Sequence, residues 1–299
     1  MHIVITGGAG FIGHHAVKKA LDRGWKVSVL DNFSTGKLSN LASPPDKLPI
    51  NLSVYNCDIA LSELPNFKSI DCLLHFAAPV AVVESLQNPD KYHRGIIQGS
   101  KRVFEWAKES GCNHIIAAST AAVYGDREDI PFLEDSLLQP MSPYAEYKLQ
   151  MEEILKSYHS PNLKCTALRF FNVFGEGQPD DTGYVSVVPI FKKQYEASKP
   201  ITVTGDGKQT RDFIYVGDIV NACFGVIDSK YDSEKMFIMN IGSGKEIAVL
   251  DIANAFEGSI EYIEQRKEPK RSLGDIKLVL SMLDWKPRTS VIDWIKDNK

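Results

Sequence analysis

The chain has 299 residues, 43% of them hydrophobic and 24% charged, with a formal net charge of −4. A chain of this length buries on the order of three quarters of its unfolded surface, so it should hold one large domain, or one domain with a smaller lobe. The mild acidity argues against nucleic acid or an anionic membrane surface as the main partner, and no apolar run reaches the roughly 18 residues of a membrane-spanning helix.

The first residues lead straight into a short apolar run, Ile3 to Thr6, with no basic lead of the kind that opens a signal peptide. This run reads as a buried strand. Gly7, Gly8, Gly10 and Gly13 follow, and Phe11 to Arg23 then has the spacing of an amphipathic helix. Strand, glycine turn and helix in that order form the setting of a dinucleotide-binding fingerprint. Gly7 lets the chain turn tightly, Gly10 lets the backbone approach a pyrophosphate, and Gly13 lets the helix lie close to the sheet. The free N–H groups of the first helical turn then face the anion. A glycine turn alone could be no more than a turn. Here a second strand, Lys26 to Leu30, ends in Asp31, an acid placed to hold a ribose hydroxyl and repel a 2′-phosphate. Asn32, Phe33 and Ser34 follow it, with no Arg to welcome that phosphate, so NAD is favoured over NADP.

From Phe33 to Pro49 the composition turns to Ser, Thr, Gly, Asn and Pro, a loop with at most a short helix at Leu38 to Leu41. Leu52 to Tyr55 predicts a third strand running to Asp58, and Cys72 to Phe76 a fourth, followed by the small residues Ala77 and Ala78. His75 lies inside that apolar run and reads as a core residue. Asn88 to Ser110 reads as one long helix with Pro89 near its start. His114 to Ala118 is a fifth strand leading into Ser119 and Thr120. Pro143 to Tyr158 is a helix and Lys164 to Phe170 a sixth strand. Strands alternating with helices imply an α/β fold of Rossmann type, a doubly wound parallel sheet covered on both faces. Beyond Gly175 the pattern becomes a polar loop, a helix over Ser186 to Ser198, strands at Ile201 to Thr204 and Asp212 to Val216, a helix at Asp218 to Ile227, a strand at Met236 to Ile241 and a final helix from Val291. The expected division is a dinucleotide-binding domain over 1–175 with return segments at about 212–241. A smaller, discontinuous substrate lobe is expected from 176–211 and 242–299. The five cysteines, Cys57, Cys72, Cys112, Cys165 and Cys223, form no paired motif. They read as reduced core residues of a cytoplasmic protein without a metal site.

Tyr144 and Lys148 are four apart on the predicted helix and share one face. A phenol ionises near pH 10, so base work near neutrality needs roughly 4 kcal/mol of preferential phenolate stabilisation. A neighbouring ammonium supplies part of it, and the positive ring of an oxidised nicotinamide could supply more. Thr120, at the end of the fifth strand, offers a hydroxyl to the same substrate oxygen. Tyr147 reads as a packing residue.

These residues carry a resemblance. TGGAGFIG at Thr6 to Gly13, Asp31, Ser119-Thr120 before AAVYG, Tyr144-x-x-x-Lys148 and Arg169-Phe-Phe-Asn172-Val-Phe-Gly175 resemble the extended short-chain dehydrogenase/reductase superfamily, whose glycine spacing is GxxGxxG. Asp31-Asn-Phe-Ser-Thr-Gly36 and Thr210-Arg-Asp-Phe-Ile-Tyr-Val216 are similar to its nucleoside-diphosphate-sugar 4-epimerases, of the UDP-glucose or UDP-N-acetylglucosamine kind. The resemblance implies Tyr144 as the base, Lys148 on the nicotinamide ribose and Thr120 on the substrate. It implies cofactor contacts from Gly7, Gly10, Phe11, Ile12 and Gly13, from Asp31, Asn32, Phe33, Ser34, Thr35 and Gly36, from Asp58 and Ile59 at the adenine, and from Phe76, Ala77, Ala78 and Phe171 along the path to the nicotinamide. Asn172, Ser186, Val187, Arg211 and Arg266 are the implied substrate contacts, with Arg271 as a substitute for Arg266. It further implies a homodimer paired through the two long helices.

Three positions depart from the family pattern: Ile96 replaces an Asn, Ser186-Val187 replaces Asn-Leu, and Arg266-Lys-Glu replaces Arg-Pro-Gly-Asp/Glu. The dehydratases and the decarboxylase of the superfamily place an acid after the Ser/Thr. Ala121 and Ala122 stand there, and alanine moves no proton, which favours epimerisation. The alternatives are a keto-sugar reductase, a dehydratase or decarboxylase, and a non-catalytic redox sensor. Retention of Thr120, Tyr144 and Lys148 together argues against the sensor.

Overall fold

Twelve strands form among the described residues, which are 1–42, 47–180, 186–229, 234–265 and 268–299 of a computed structural model. In chain order they are β1 (His2–Thr6), β2 (Lys26–Asp31), β3 (Leu52–Asn56), β4 (Cys72–His75), β5 (His114–Thr120), β6 (Lys164–Phe170), β7 (Asn172–Phe174), β8 (Ile201–Thr204), β9 (Thr210–Tyr215), β10 (Phe237–Ile241), β11 (Glu246–Ala248) and β12 (Ile260–Ile263). The main sheet has seven strands in the order β10-β6-β5-β4-β1-β2-β3, all parallel. The expected doubly wound fold is present. Its strand order reverses between β1 and β4, the crevice where such sheets take ligands.

The strands are apolar on both faces because helices cover both. Ile3 and Ile5 of β1 point into one core with Val17 and Ala20 of α1 (Phe11–Asp22), and Val4 points into the other with Leu73 and Ile115. A third core, around Phe174, Phe191, Phe213, Ile252 and Trp294, lies under a three-stranded sheet, β11-β9-β7, and a two-stranded one, β12-β8. Two segments fall differently from the sequence expectation. The strand at Thr210–Tyr215 joins the three-stranded sheet, not the main one. In the C-terminal part, Val279, Leu283 and Trp285 pack into the main core.

The helix expected over Asn88 to Ser110 has three parts. After α2 (Val82–Gln87), α3 (Pro89–Tyr92) passes into a π-helical stretch, His93–Gln98, and then α4 (Gly99–Glu109). Gly95 lies against Pro79 and Gly99 against Ile59, where a Cβ would come within about 3 Å of either side chain. The catalytic-helix candidate α5 (Pro143–Tyr158) is as predicted. Pro143 supplies a preset φ at the first position, and Ser142 caps it by accepting from Ala145 N–H at 3.2 Å. The remaining helices are α6 (Val187–Glu196), α7 (Val216–Asp228), α8 (Val249–Ala255), α9 (Lys277–Met282) and α10 (Val291–Asn298). All five cysteines are buried and unpaired. Among the described residues no helix is long and apolar enough to cross a membrane.

Candidate active site

The glycine turn is shaped by backbone contact. Gly7 adopts φ +67°, and a Cβ on it would stand 2.8 Å from Ala77 N. A Cβ on Gly13 would run into the Gly7 carbonyl oxygen and lie 2.7 Å from Gly8 Cα. Gly10 is the N-cap of α1. No side chain caps that end, and its first turn carries no acid. The first turn of this twelve-residue helix therefore presents N–H groups without a side-chain cap, at the positive end of the dipole, on Phe11, Ile12 and Gly13. These residues fit a pyrophosphate, an anion the chain does not itself provide.

Asp31 closes the other half of this cradle. It is buried, and its carboxylate accepts from Ala9 N–H at 2.9 Å and Phe33 N–H at 2.8 Å. Both bonds anchor the acid at the β2 end, where a ribose would lie. Phe33 takes φ 54° to make this turn. Asn32 donates to Asp58 at 3.3 Å and accepts from Ser34 N–H at 3.1 Å, which joins the candidate ribose and adenine segments. Gly36 lies against Ala9, with Thr35 exposed beside it. Ile59 is buried, and its carbonyl accepts from Arg102 at 3.0 Å.

His75 behaves as a core residue. Its Nδ1 lies 2.8 Å from Thr6 Oγ1 and its Nε2 2.9 Å from Ser100 Oγ. Burial pushes its pKa down to about 3, so it stays neutral. Thr6 Oγ1 also accepts from Ala77 N–H at 3.2 Å. This chain of bonds holds Phe76, Ala77 and Ala78 against the end of β1.

Thr120 ends β5. Its hydroxyl accepts from Ala122 N–H at 3.2 Å and so caps the short turn Ala121–Tyr124. Lys148 is buried on α5 and donates to the Ala118 carbonyl at 2.8 Å. Burial lowers its pKa to about 8, partly offset by the Glu152 carboxylate. Tyr144 is 9% exposed, and its ring meets that of Tyr92 edge-on at 6.4 Å. Tyr92 in turn donates to Glu84 at 3.0 Å. Tyr147 points elsewhere and packs edge-on against His93 at 5.5 Å. Thr6, Asp31, Phe76 and Thr120 thus all lie at the carboxyl edge of the main sheet, with α5 packed against β5 and β6. An open depression of about 480 Å³, lined by Asp71, His114 and Lys164, sits at the opposite edge, the wrong end of the strands for this chemistry.

The other candidates lie around the third core and at its border with the main sheet. The Phe171 ring is buried, stacked at 6.4 Å with Tyr124 and touching Gly274. Asn172 opens β7 and pairs in register with Phe213, which places Arg211 two residues away on the neighbouring strand. Arg211 bonds Glu268 at 2.7 Å. Ser186 accepts from Gln178 at 3.0 Å, and Val187, at the start of α6, packs on the third core. Arg266 lies outside the described residues, and Arg271 pairs with Glu246 at 2.8 Å.

One cluster was not anticipated. Arg169, buried in β6, forms a two-pronged pair with Glu152, Nη2 to Oε2 at 2.7 Å and Nε to Oε1 at 3.0 Å. It also donates to Tyr124 OH at 2.9 Å, which passes a bond to Asn240 at 2.7 Å. Ser119 donates to Glu152 from the other side. Removing one partner of such a buried pair costs roughly 3–5 kcal/mol. The sequence signal was an Arg inside an otherwise apolar strand and a Glu one turn beyond Lys148.

Known proteins share this architecture. The chain is 30% identical, over 99% of its length and 93% of the other's, to a bifunctional UDP-glucose 4-epimerase and UDP-xylose 4-epimerase of Pisum sativum. It superposes with a TM-score of 0.90 and 32% identity on a UDP-N-acetylglucosamine 4-epimerase of Methanobrevibacter ruminantium solved with UDP-N-acetylmuramic acid, covering 99% of this chain and 96% of that one. A UDP-glucuronic acid 4-epimerase of Bacillus cereus, solved with UDP-glucuronic acid and NAD, gives 0.87 and 28% over 99% and 97%. Residues 3–242 match the model of the NAD dependent epimerase/dehydratase family, and the chain belongs to that family.

Proposed function

We propose that the protein is an NAD-dependent 4-epimerase of a nucleotide sugar, a UDP-hexose or UDP-N-acetylhexosamine. The observation that carries this reading is the meeting of two groups at one sheet edge. The uncapped α1 terminus and anchored Asp31 fit a dinucleotide. Thr120 and the α5 pair Tyr144 and Lys148 stand a few strands away. Tyr144 takes the proton of the sugar 4-hydroxyl and later returns it. Thr120 holds that oxygen, and Lys148 keeps a positive charge near the phenol, which favours its ionised form. NAD, which the Gly7–Gly13 turn and Asp31 would hold, would supply a hydride acceptor and donor for C4. Asn172 and Arg211 hold the nucleotide diphosphate, Ser186 and Val187 face the substrate, and the sugar is left free to turn. The catalytic half is the main sheet and its helices, and the parts around the third core form the substrate lobe. Ala121 and Ala122 leave the elimination and decarboxylation routes without an acid.

The test is direct. Denatured pure protein should release NAD. Intact protein should convert UDP-galactose or UDP-N-acetylgalactosamine to its C4 isomer with no nicotinamide consumed. Steady consumption of added NADH or NADPH with a keto-sugar would point to a reductase instead.

Asp31→Ala removes the ribose partner and leaves Ala9 N–H and Phe33 N–H without their acceptor. A charge-assisted bond of this kind contributes about 1.5–3 kcal/mol. The expected result is a loss of NAD affinity of roughly ten- to a hundredfold, read by calorimetric titration, together with a smaller preference over NADP. The protein is further read as a cytoplasmic homodimer paired through Pro89–Glu109 and α5. Light scattering should give twice the chain mass, and a monomer mass would refute the pairing.

A further inference from the structure

We propose that Glu152 is a positioning residue of this reaction, the buried carboxylate on the Lys148 face of α5 that fixes the strand end carrying Thr120 and orients the charge around Lys148. The proposal rests on the epimerase reading above. Its geometry is independent of any ligand. Lys148 and Glu152 lie four apart on α5, so their side chains leave the same face. They grip consecutive residues of β5. Lys148 donates to the Ala118 carbonyl, and Glu152 accepts from the Ser119 hydroxyl. The next residue is Thr120.

Arg169 sits directly across from Ser119 in the β5–β6 register and holds Glu152 with two bonds, so the carboxylate cannot swing away. Arg169 is itself shared with Tyr124 OH and the Glu134 carbonyl. Two neighbouring strands of the main sheet therefore converge on one carboxylate of α5.

The charge environment gives this convergence a purpose. Titratable groups face Lys148 from several sides. Glu152 lies on its own helix, one turn beyond it, and His75 on β4 feels its charge; Tyr144 shares its helix face, Tyr92 packs on Tyr144, and Arg169 on β6 is engaged by Glu152. Burial keeps His75 neutral. Burial also works against the ammonium, and the Glu152 carboxylate works for it. Without that anion a buried lysine tends to release its proton, and a neutral lysine no longer favours the phenolate. A purely structural ion pair would hold the fold equally well, yet leave the titration of Lys148 unchanged.

The experiment compares wild type, Glu152→Gln, Glu152→Asp and the double variant Glu152→Gln/Arg169→Gln. The double variant carries no unpaired buried charge, so it stands in if Glu152→Gln does not fold. Lys148 is titrated by side-chain NMR of labelled lysine, its signal assigned by its loss in Lys148→Arg, and the pH profile of kcat is recorded alongside. Glu152→Gln should move the Lys148 midpoint to lower pH by at least about one unit, and the alkaline limb of kcat should move with it. The double variant should shift the same way by less, and Glu152→Asp should restore most of the wild-type profile. A midpoint in the double variant equal to wild type overturns the proposal, as does an even loss of kcat at every pH. Wild-type protein with no epimerase activity would sink the epimerase reading alone, since the NMR titration still decides whether Glu152 sustains the Lys148 charge.

Discussion

Replacing Tyr144 by phenylalanine should lower kcat by about 10³-fold or more while KM changes little. The two side chains differ by one hydroxyl. The ring would still pack edge-on against Tyr92, so the fold and the dinucleotide cradle should survive. Only the proton carrier is lost. Groups that pass a proton in the transition state contribute roughly 10²–10⁴-fold, and a deficit confined to kcat is the mark of an interaction made at that point and not in the ground state. The variant should still release NAD on denaturation. Retained epimerisation in Tyr144→Phe would assign the proton transfer to another group.

Gly13→Ala should have the largest effect on the cradle itself. A Cβ there meets the Gly7 carbonyl oxygen and Gly8 Cα. Both are backbone atoms, and neither can turn aside as a side chain would. Overpacking against yielding neighbours already costs about 1–3 kcal/mol, and this site has none. To fit the methyl, α1 must lift away from the turn or Gly7 must leave its φ of +67°. Either movement spreads the N–H groups that face the pyrophosphate. The expected outcome is purified protein without bound dinucleotide and a melting temperature lower by roughly 5 °C or more. Gly24, where a Cβ would meet nothing within 4 Å, provides the control. Its φ of +73° makes alanine strained there too, so Gly24→Ala should lose some stability but keep its nucleotide.

Much of this molecule could be read from its sequence, for physical reasons that differ by region. β1 and β2 are buried on both faces, so they stand out as mostly apolar runs closed by Gly7 and by Asp31, and β6 as an apolar run broken only by Thr166 and Arg169. α5 declared itself through Pro143 at its start. Elements that depend on distant partners were missed. β11 has three residues and exists because Glu246 to Ala248 finds β9. Among the described residues β12 pairs only with β8, and its adjacent Glu261 and Tyr262 are both exposed, so no alternation marks it. α2 is six residues long with no side-chain cap. The π-helical turn at His93–Gln98 is invisible to a 3.6-residue period, which sees one uninterrupted helix.

The site divided along the same line. Gly7 to Gly13, Asp31, Thr120, Tyr144 and Lys148 could be picked out as candidates because the chemistry proposed for them depends on short spacings: a turn, a strand end, one helical turn. Glu152 and Arg169 were opaque because a charge in an apolar strand has no meaning until its partner is known. That partner is 17 residues away on another element. The border of the proposed substrate lobe depends on long-range packing as well. Arg211 is engaged by Glu268 and Ser186 by Gln178, pairings that no local pattern encodes.

The most direct test follows one hydrogen. UDP-galactose carrying deuterium at C4 is incubated with the pure protein, and the C4 isomer is analysed by mass spectrometry and NMR. The account predicts that the label stays at C4 of the product, with no exchange into solvent or into added free cofactor. Label lost to water, or found in free nicotinamide, would contradict a hydride that leaves and returns within one closed site.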